Sequence, residues 1–135
     1  MIIQQVNPSY VCQIWPMVGE MLANALKYSG GEYNIDQLKA MLSSGAKTLL
    51  VADDNGTIKG AAAISLDKWP NDNICFIMAI GGRLITSADM FDQLQGWAKA
   101  QGCTKIQGAA RESVERLWRQ KFNFEERYRI VEKLL

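Results

Sequence analysis

A chain of 135 residues with 48% hydrophobic and 21% charged residues is the size and composition of one compact domain, residues 1–135, that folds without a staple. Its net charge of +1 excludes a protein built mainly to coat nucleic acid, and it has no histidine, so the commonest general base and metal ligand are both missing. Its three cysteines, Cys12, Cys75 and Cys103, are widely spaced and form no CxxC pair. A disulfide framework and a metal site are therefore not expected, and a reducing cytoplasm is the expected setting. No apolar run approaches a membrane span and no signal-peptide pattern opens the chain, so no membrane partner is expected.

Met1 to Val6 reads as a short strand, and Asn7-Pro8 as a helix cap followed by proline at the first helical position. Val11, Ile14, Trp15, Val18, Met21, Leu22, Ala25 and Leu26 recur at helical spacing, with Pro16 expected to kink or break the helix. Ser29-Gly30-Gly31 ends it. Ile35, Leu38, Met41 and Leu42 mark a second, shorter helix closed by Gly45.

Thr48–Ala52 and Ile58–Leu66 are rich in strand formers and flank Asp53-Asp54-Asn55-Gly56, which predicts an antiparallel hairpin. A loop carrying Trp69-Pro70 follows, and Trp69 is the tryptophan expected to be exposed. Ile74 to Ile80 is a nearly unbroken apolar run, as a strand covered on both faces requires. The turn Gly81–Ala88 leads to a helix capped by Thr86 or Ser87, with Asp89 in its first turn and Phe91, Leu94, Trp97 and Ala98 facing inward. Gly102 closes that helix. Thr104–Ala109 then returns as a strand parallel to the one before, completing a βαβ unit. Glu112–Gln120 reads as a short helix and Tyr128–Leu135 as a last strand. The predicted class is therefore α/β (α+β), with a central, mostly antiparallel mixed sheet flanked by helices on both faces.

This element order resembles the GNAT family of N-acetyltransferases over essentially the whole chain. At the level of residues the resemblance rests on Trp97-Ala98-Lys99-Ala100-Gln101-Gly102-Cys103 and on Val114 to Phe124. The family's phosphate loop has the form Gln/Arg-x-x-Gly-x-Gly/Ala. Two registers are open: one puts Gly82 at the Gln/Arg position with Ile85 and Ser87 at the glycines. The other, preferred on chemistry, uses Arg83-Leu84-Ile85-Thr86-Ser87-Ala88 and needs a one-residue indel. The resemblance implies acetyl-CoA as cofactor, held along Met78, Ala79 and Ile80 and over Arg83, Leu84, Ile85, Thr86, Ser87 and Ala88. It implies a backbone N–H near Ile80 to polarise the thioester carbonyl.

The sequence departs from the family pattern in several places. Trp118 stands where many members have a tyrosine that protonates the leaving thiolate, and an indole does not surrender its proton near neutral pH. Arg111 stands where an asparagine often meets the pantetheine arm, and Asn123 stands for a glycine. A general base would have to be a carboxylate such as Glu32 or Asp72. The implied function is transfer of an acetyl group to a small-molecule or peptide amine. The alternative is a catalytically inactive GNAT-fold binding or assembly protein, for instance of a phage. The Arg, Lys and Glu residues interleaved after Arg111 predict a solvated, salt-bridged surface rather than a nucleic-acid patch.

Overall fold

A computed structural model describes residues 1–84 and 86–135. Strand β1 (Ile2–Val6) leads through a 3₁₀ turn at Pro8–Tyr10 into α1 (Val11–Leu26), then α2 (Ile35–Ser43). The hairpin β2 (Thr48–Asp54) and β3 (Thr57–Lys68) follows, then β4 (Asn73–Gly82), α3 (Ala88–Ala100), β5 (Lys105–Gly108) and α4 (Glu112–Phe122). The five strands form one sheet in the order β1-β2-β3-β4-β5. The first four are antiparallel neighbours, and β5 is parallel to β4 across α3.

The alternation of side chains along a strand divides the core in two. Leu49, Val51, Ala61, Ala63 and Ala79 point to the face covered by α1 and α2, against Val11, Val18, Leu22, Leu38 and Leu42. Leu50, Ala52, Ala62, Ile64, Cys75 and Ile77 point to the other face, against Met90, Leu94, Ala98 and Trp118 of α3 and α4. The small alanines of β3 let α1 come close to the sheet.

Local chemistry sets the boundaries. Asn7 accepts a hydrogen bond from the Ser9 amide and caps the 3₁₀ turn, and Asn34 and Gln37 form a reciprocal capping box at α2. Asn55 (φ +51°) and Gly56 (φ +90°) both adopt the left-handed conformation that a tight two-residue hairpin needs. Ser87 caps α3 through the Met90 amide, as expected.

Of the two outcomes expected at Pro16, a kink or a break, the break does not occur, and α1 runs on through it. Proline there removes one bond, to the carbonyl of Cys12 on an exposed turn, where water can replace it, while Val11, Val18 and Leu22 hold the helix to the sheet. An expectation is corrected at the end of the chain, where Tyr128–Leu135 forms no strand. Among the described residues nothing pairs with it, and it lies exposed beyond α4.

Candidate acyl-CoA cleft

The site is made by a parting of two strands. β4 and β5 pair from Ile74 opposite Lys105 to Ile77 opposite Gly108, and there the pairing ends. On its other side β4 continues against β3 as far as Gly82. The parting coincides with a β-bulge: Ile64 faces Ile77 and Ala63 faces Ala79, so Met78 is an extra residue. Its effect shows in the side chains. Met78 and Ala79 both pack toward α1 and α2, whereas Ile77 and Ile80 on either side pack toward α3 and α4. A bulge bends its strand and tightens the twist. β4 thus turns away from β5, and among the described residues no strand pairs with Met78 to Gly82 on that side.

Gly108 shapes the other prong. A Cβ there would sit 2.9 Å from the Trp118 ring, which is buried against the end of β5. Trp118 also meets Phe124 with ring centroids 5.1 Å apart. Its indole is therefore core packing that fixes α4 to the fork.

The rim on the α1–α2 side is built around Tyr33. The Tyr33 hydroxyl donates a 3.0 Å hydrogen bond to the carbonyl of Met78, the bulged residue itself. Burial, reinforced by the charge of Glu32, raises the Tyr33 pKa above its ordinary value, so the phenol stays protonated. The loop joining α1 and α2 is thereby tethered to the bulge, and Glu32, next in sequence, is exposed with its carboxylate beside Gly30. From the other prong the Arg111 guanidinium stacks on the Tyr28 ring, 3.7 Å from its centroid. This cation–π contact spans from the end of β5 to the end of α1. Arg111 is thus engaged at the rim.

The opposite mouth lies where β4 turns into α3. Gly81 and Gly82, the most visible feature of this turn in the sequence, are there for the protein's own packing. A Cβ on Gly81 would fall 2.7 Å from the Met21 carbonyl of α1, and one on Gly82 (φ +66°) would collide with Lys59 and Gly60 of β3. The Arg83 amide donates to the Lys59 carbonyl at 2.8 Å, and the Leu84 side chain is buried in the core. Ile85 lies outside the described residues. Thr86 and Ala88 are exposed, Ser87 is half-buried, and the Arg83 side chain is exposed beside them. A helix start offers backbone N–H groups to an anion. Asp89, however, places a carboxylate in the first turn of α3, 3.2 Å from the Gln93 amide.

Asp72 is not at the fork. Its carboxylate accepts hydrogen bonds from Lys105 at 2.9 Å and Thr104 at 3.0 Å, tying together the starts of β4 and β5. Those bonds hold its carboxyl below the usual range. At about 3.3 Å per residue along β4, Asp72 is well over 10 Å from Met78. It is a clasp at the closed end, and a poorer base for being so paired. Burial, with Cys103 nearby, pushes the Cys75 thiol up to about 12, which makes it an inert core group. Arg116 with Glu112, Arg119 with Glu115, and Arg129 with Glu126 form surface ion pairs, as the interleaved charges predict.

A bulged β4 parting from a parallel β5, with α3 crossing between them, is the arrangement of the GNAT acetyltransferase fold, and known structures agree. The chain superposes on a probable acetyltransferase with TM-score 0.70 at 12% identity, covering 100% of this chain and 97% of that one. It superposes on a ribosomal-protein-alanine N-acetyltransferase from Brucella melitensis biovar Abortus 2308 with TM-score 0.70 at 16% identity, covering 98% of each chain. An aminoglycoside N-acetyltransferase, AAC(6')-Iy, in complex with CoA matches with TM-score 0.67 at 16% identity, covering 98% of this chain and 93% of that one. No protein-family model and no curated protein matches by sequence. The chain therefore has the N-acetyltransferase fold, as a single α+β domain with a mixed five-stranded sheet.

Proposed function

We propose that this protein is an acyl-CoA-dependent N-acyltransferase that moves an acetyl group from acetyl-CoA to the amine of a small molecule or peptide, in the cytoplasm. The observation that carries this reading is the end of β4–β5 pairing at Ile77 and Gly108, next to the Met78 bulge. The cleft so formed suits a pantetheine arm, which is extended and amide-bearing and can bond to strand backbone. Structures of the same fold have been determined with CoA and with acetyl-CoA, and one with the amine-bearing aminoglycoside sisomicin.

The residues present fit the cofactor in parts. The backbone of Met78, Ala79 and Ile80 would hold the arm, and the turn from Arg83 to Ala88 that leads into α3 the diphosphate, with Arg83 supplying positive charge. Acetyl-CoA, when bound, supplies an acetyl group already activated as a thioester. The chain then has two tasks. A backbone N–H past the bulge would polarise the thioester carbonyl, an oxyanion-type contact that depends on backbone geometry alone. Tyr33, by holding the Met78 carbonyl, fixes the orientation of that backbone. Glu32, on the loop that Tyr33 tethers, attracts the acceptor's ammonium and takes its proton, directly or through water. Trp118, an indole packed in the core, would contribute no proton to a leaving thiolate. Asp72 has no part in the chemistry.

Titration of the protein with acetyl-CoA and desulfo-CoA by calorimetry and thermal shift tests this directly. Ligand at 100 times Kd stabilises a folded protein by about 2.7 kcal/mol. Absence of any shift at millimolar concentrations of both ligands would remove the transferase reading and leave the fold.

A further inference from the structure

Two tyrosines fix the α1–α2 loop to the rest of the molecule, and they differ in what they leave over. The Tyr33 hydroxyl and the Met78 carbonyl satisfy each other. Tyr28 instead meets a charge, with the Arg111 guanidinium carbon 3.7 Å from its ring centroid. That is the van der Waals separation of two flat groups, so the guanidinium lies over the ring with the planes near parallel. Its N–H donors lie in its own plane and point outward past the edge of the ring.

Those donors are uncommitted. Among the described residues the Arg111 side chain has no hydrogen bond and no ion pair, because the nearby carboxylates of α4 are engaged elsewhere. Glu112 pairs with Arg116 at 3.3 Å and Glu115 with Arg119 at 3.7 Å. Across the rim, the Glu32 carboxylate lies beside Gly30. Nor does α4 gain from a cation at its N-cap, where the helix dipole is positive and Arg111 makes no side-chain cap. The needs of the helix therefore do not account for an arginine at this position.

Its place in the fold does. Arg111 follows Gly108 by three residues, so its backbone lies within about 11 Å of the point where β4 and β5 part. Side chains of α3 and α4 cover one face of the fork. The face left for an incoming amine is the one bordered by the α1–α2 loop, with Tyr28 and Arg111 at one end and Glu32 further along.

We infer that Arg111, propped on Tyr28, determines acceptor specificity by binding a carboxylate that the amine substrate carries away from its reacting nitrogen. The inference rests on the transferase reading above and names the substrate class as aminocarboxylates. A carboxylate accepts two parallel N–H bonds from the guanidinium edge while the face stays on the ring. Opposite charges at Arg111 and Glu32 complement a substrate with an acid at one end and an ammonium at the other. In the transfer, the acceptor nitrogen bonds to the acetyl carbon as the carbon–sulfur bond breaks and the nitrogen's proton goes to Glu32 or water. Arg111 takes no proton and touches no reacting atom.

The test follows thiol release from acetyl-CoA with the full chain and matched acceptors: glycine, γ-aminobutyrate and ε-aminocaproate against ethylamine, butylamine and hexylamine. At least one acid should exceed its matched amine by about tenfold in kcat/KM, the scale of one charge-assisted contact. Arg111→Gln and Tyr28→Leu should bring that ratio toward one, mainly through KM, and Arg111→Lys should restore only part of it. Lys121→Gln, at the far end of α4, should keep it. Calorimetry of the preferred acid on the desulfo-CoA complex should show the same loss in Arg111→Gln. Equal use of acids and amines, or a preference that survives Arg111→Gln, would overturn the assignment and leave the transferase reading standing. If no acceptor turns over although desulfo-CoA binds, acids that bind the complex no better than their matched amines overturn it as well. Failure of desulfo-CoA itself to bind would remove both.

Discussion

At the scale of single residues, the side chains with the clearest consequences are Tyr33, Asp89 and Asp72. Tyr33→Phe removes the hydrogen bond to Met78 and leaves the ring in place, so it should cost about 1 kcal/mol in denaturant unfolding. If the bulge must be held for catalysis, kcat should fall more than cofactor affinity, and equal losses would assign Tyr33 to stability alone. Asp89 stabilises α3 by its charge at the positive end of the helix dipole, an effect worth about 0.3–1 kcal/mol. The same charge opposes a diphosphate. Asp89→Asn should therefore lower thermal stability slightly while tightening desulfo-CoA binding in calorimetry, two changes of opposite sign. If the variant binds no more tightly, the ligand does not sit at this helix start. For Asp72 the folded pKa lies below the ordinary 3.8, because Lys105 and Thr104 bond to the charged form. The unfolded chain then takes up the proton first as pH falls. The clasp's contribution is complete above the unfolded value and is lost as pH drops through the folded one. Asp72→Asn should flatten the acid limb of a stability–pH curve below about pH 4 and leave the slope near neutrality unchanged.

At the scale of elements, the turn at Gly81-Gly82 shows how one sequence signal has two physical sources. Glycine pairs before a helix suggest room for a phosphate, yet here both Cβ positions are occupied by the protein's own backbone, from Met21 on one side and Lys59 and Gly60 on the other. Gly82→Ala should cost about 1–3 kcal/mol, the range for forcing extra atoms into a packed site, measured as a lower denaturation midpoint. Periodicity located the helices, the hairpin and the βαβ unit, because burial of one face leaves a repeat in the sequence. It could not locate the Met78 bulge, since Ile74–Ile80 is apolar on both faces and an extra residue leaves no break in such a run. Tyr33 was equally invisible: a tyrosine in a polar loop gives no hint that its hydroxyl reaches a strand forty-five residues later. Asn123 was legible in part. It replaces a glycine of the related pattern and does adopt φ +59°, the left-handed conformation that asparagine tolerates best after glycine. Tyr128–Leu135 has the composition of a strand but has no partner among the described residues, and a strand exists only through pairing.

At the scale of the whole molecule, the two halves of the core lie on opposite faces of one sheet and share its strands. Leu49 and Leu50 are neighbours in β2, yet one packs under α1 and α2 and the other under α3 and α4. Loosening either layer therefore loosens the same backbone ladder, and the layers should not unfold separately. Leu22→Ala on one face and Leu94→Ala on the other remove fully buried side chains that do not share a core cluster. Each should destabilise by about 2–5 kcal/mol, the usual cost of a large-to-small change with its cavity. Each variant should still melt in one transition, the same by circular dichroism and by tryptophan fluorescence. Because the sites are separated by the sheet, the double variant should lose close to the sum of the two, provided enough stability remains for it to fold. Two resolved transitions, with Leu94→Ala shifting only one, would mean that the α3–α4 side with its parted strands is a separate folding unit. The cleft could then open without unfolding the rest.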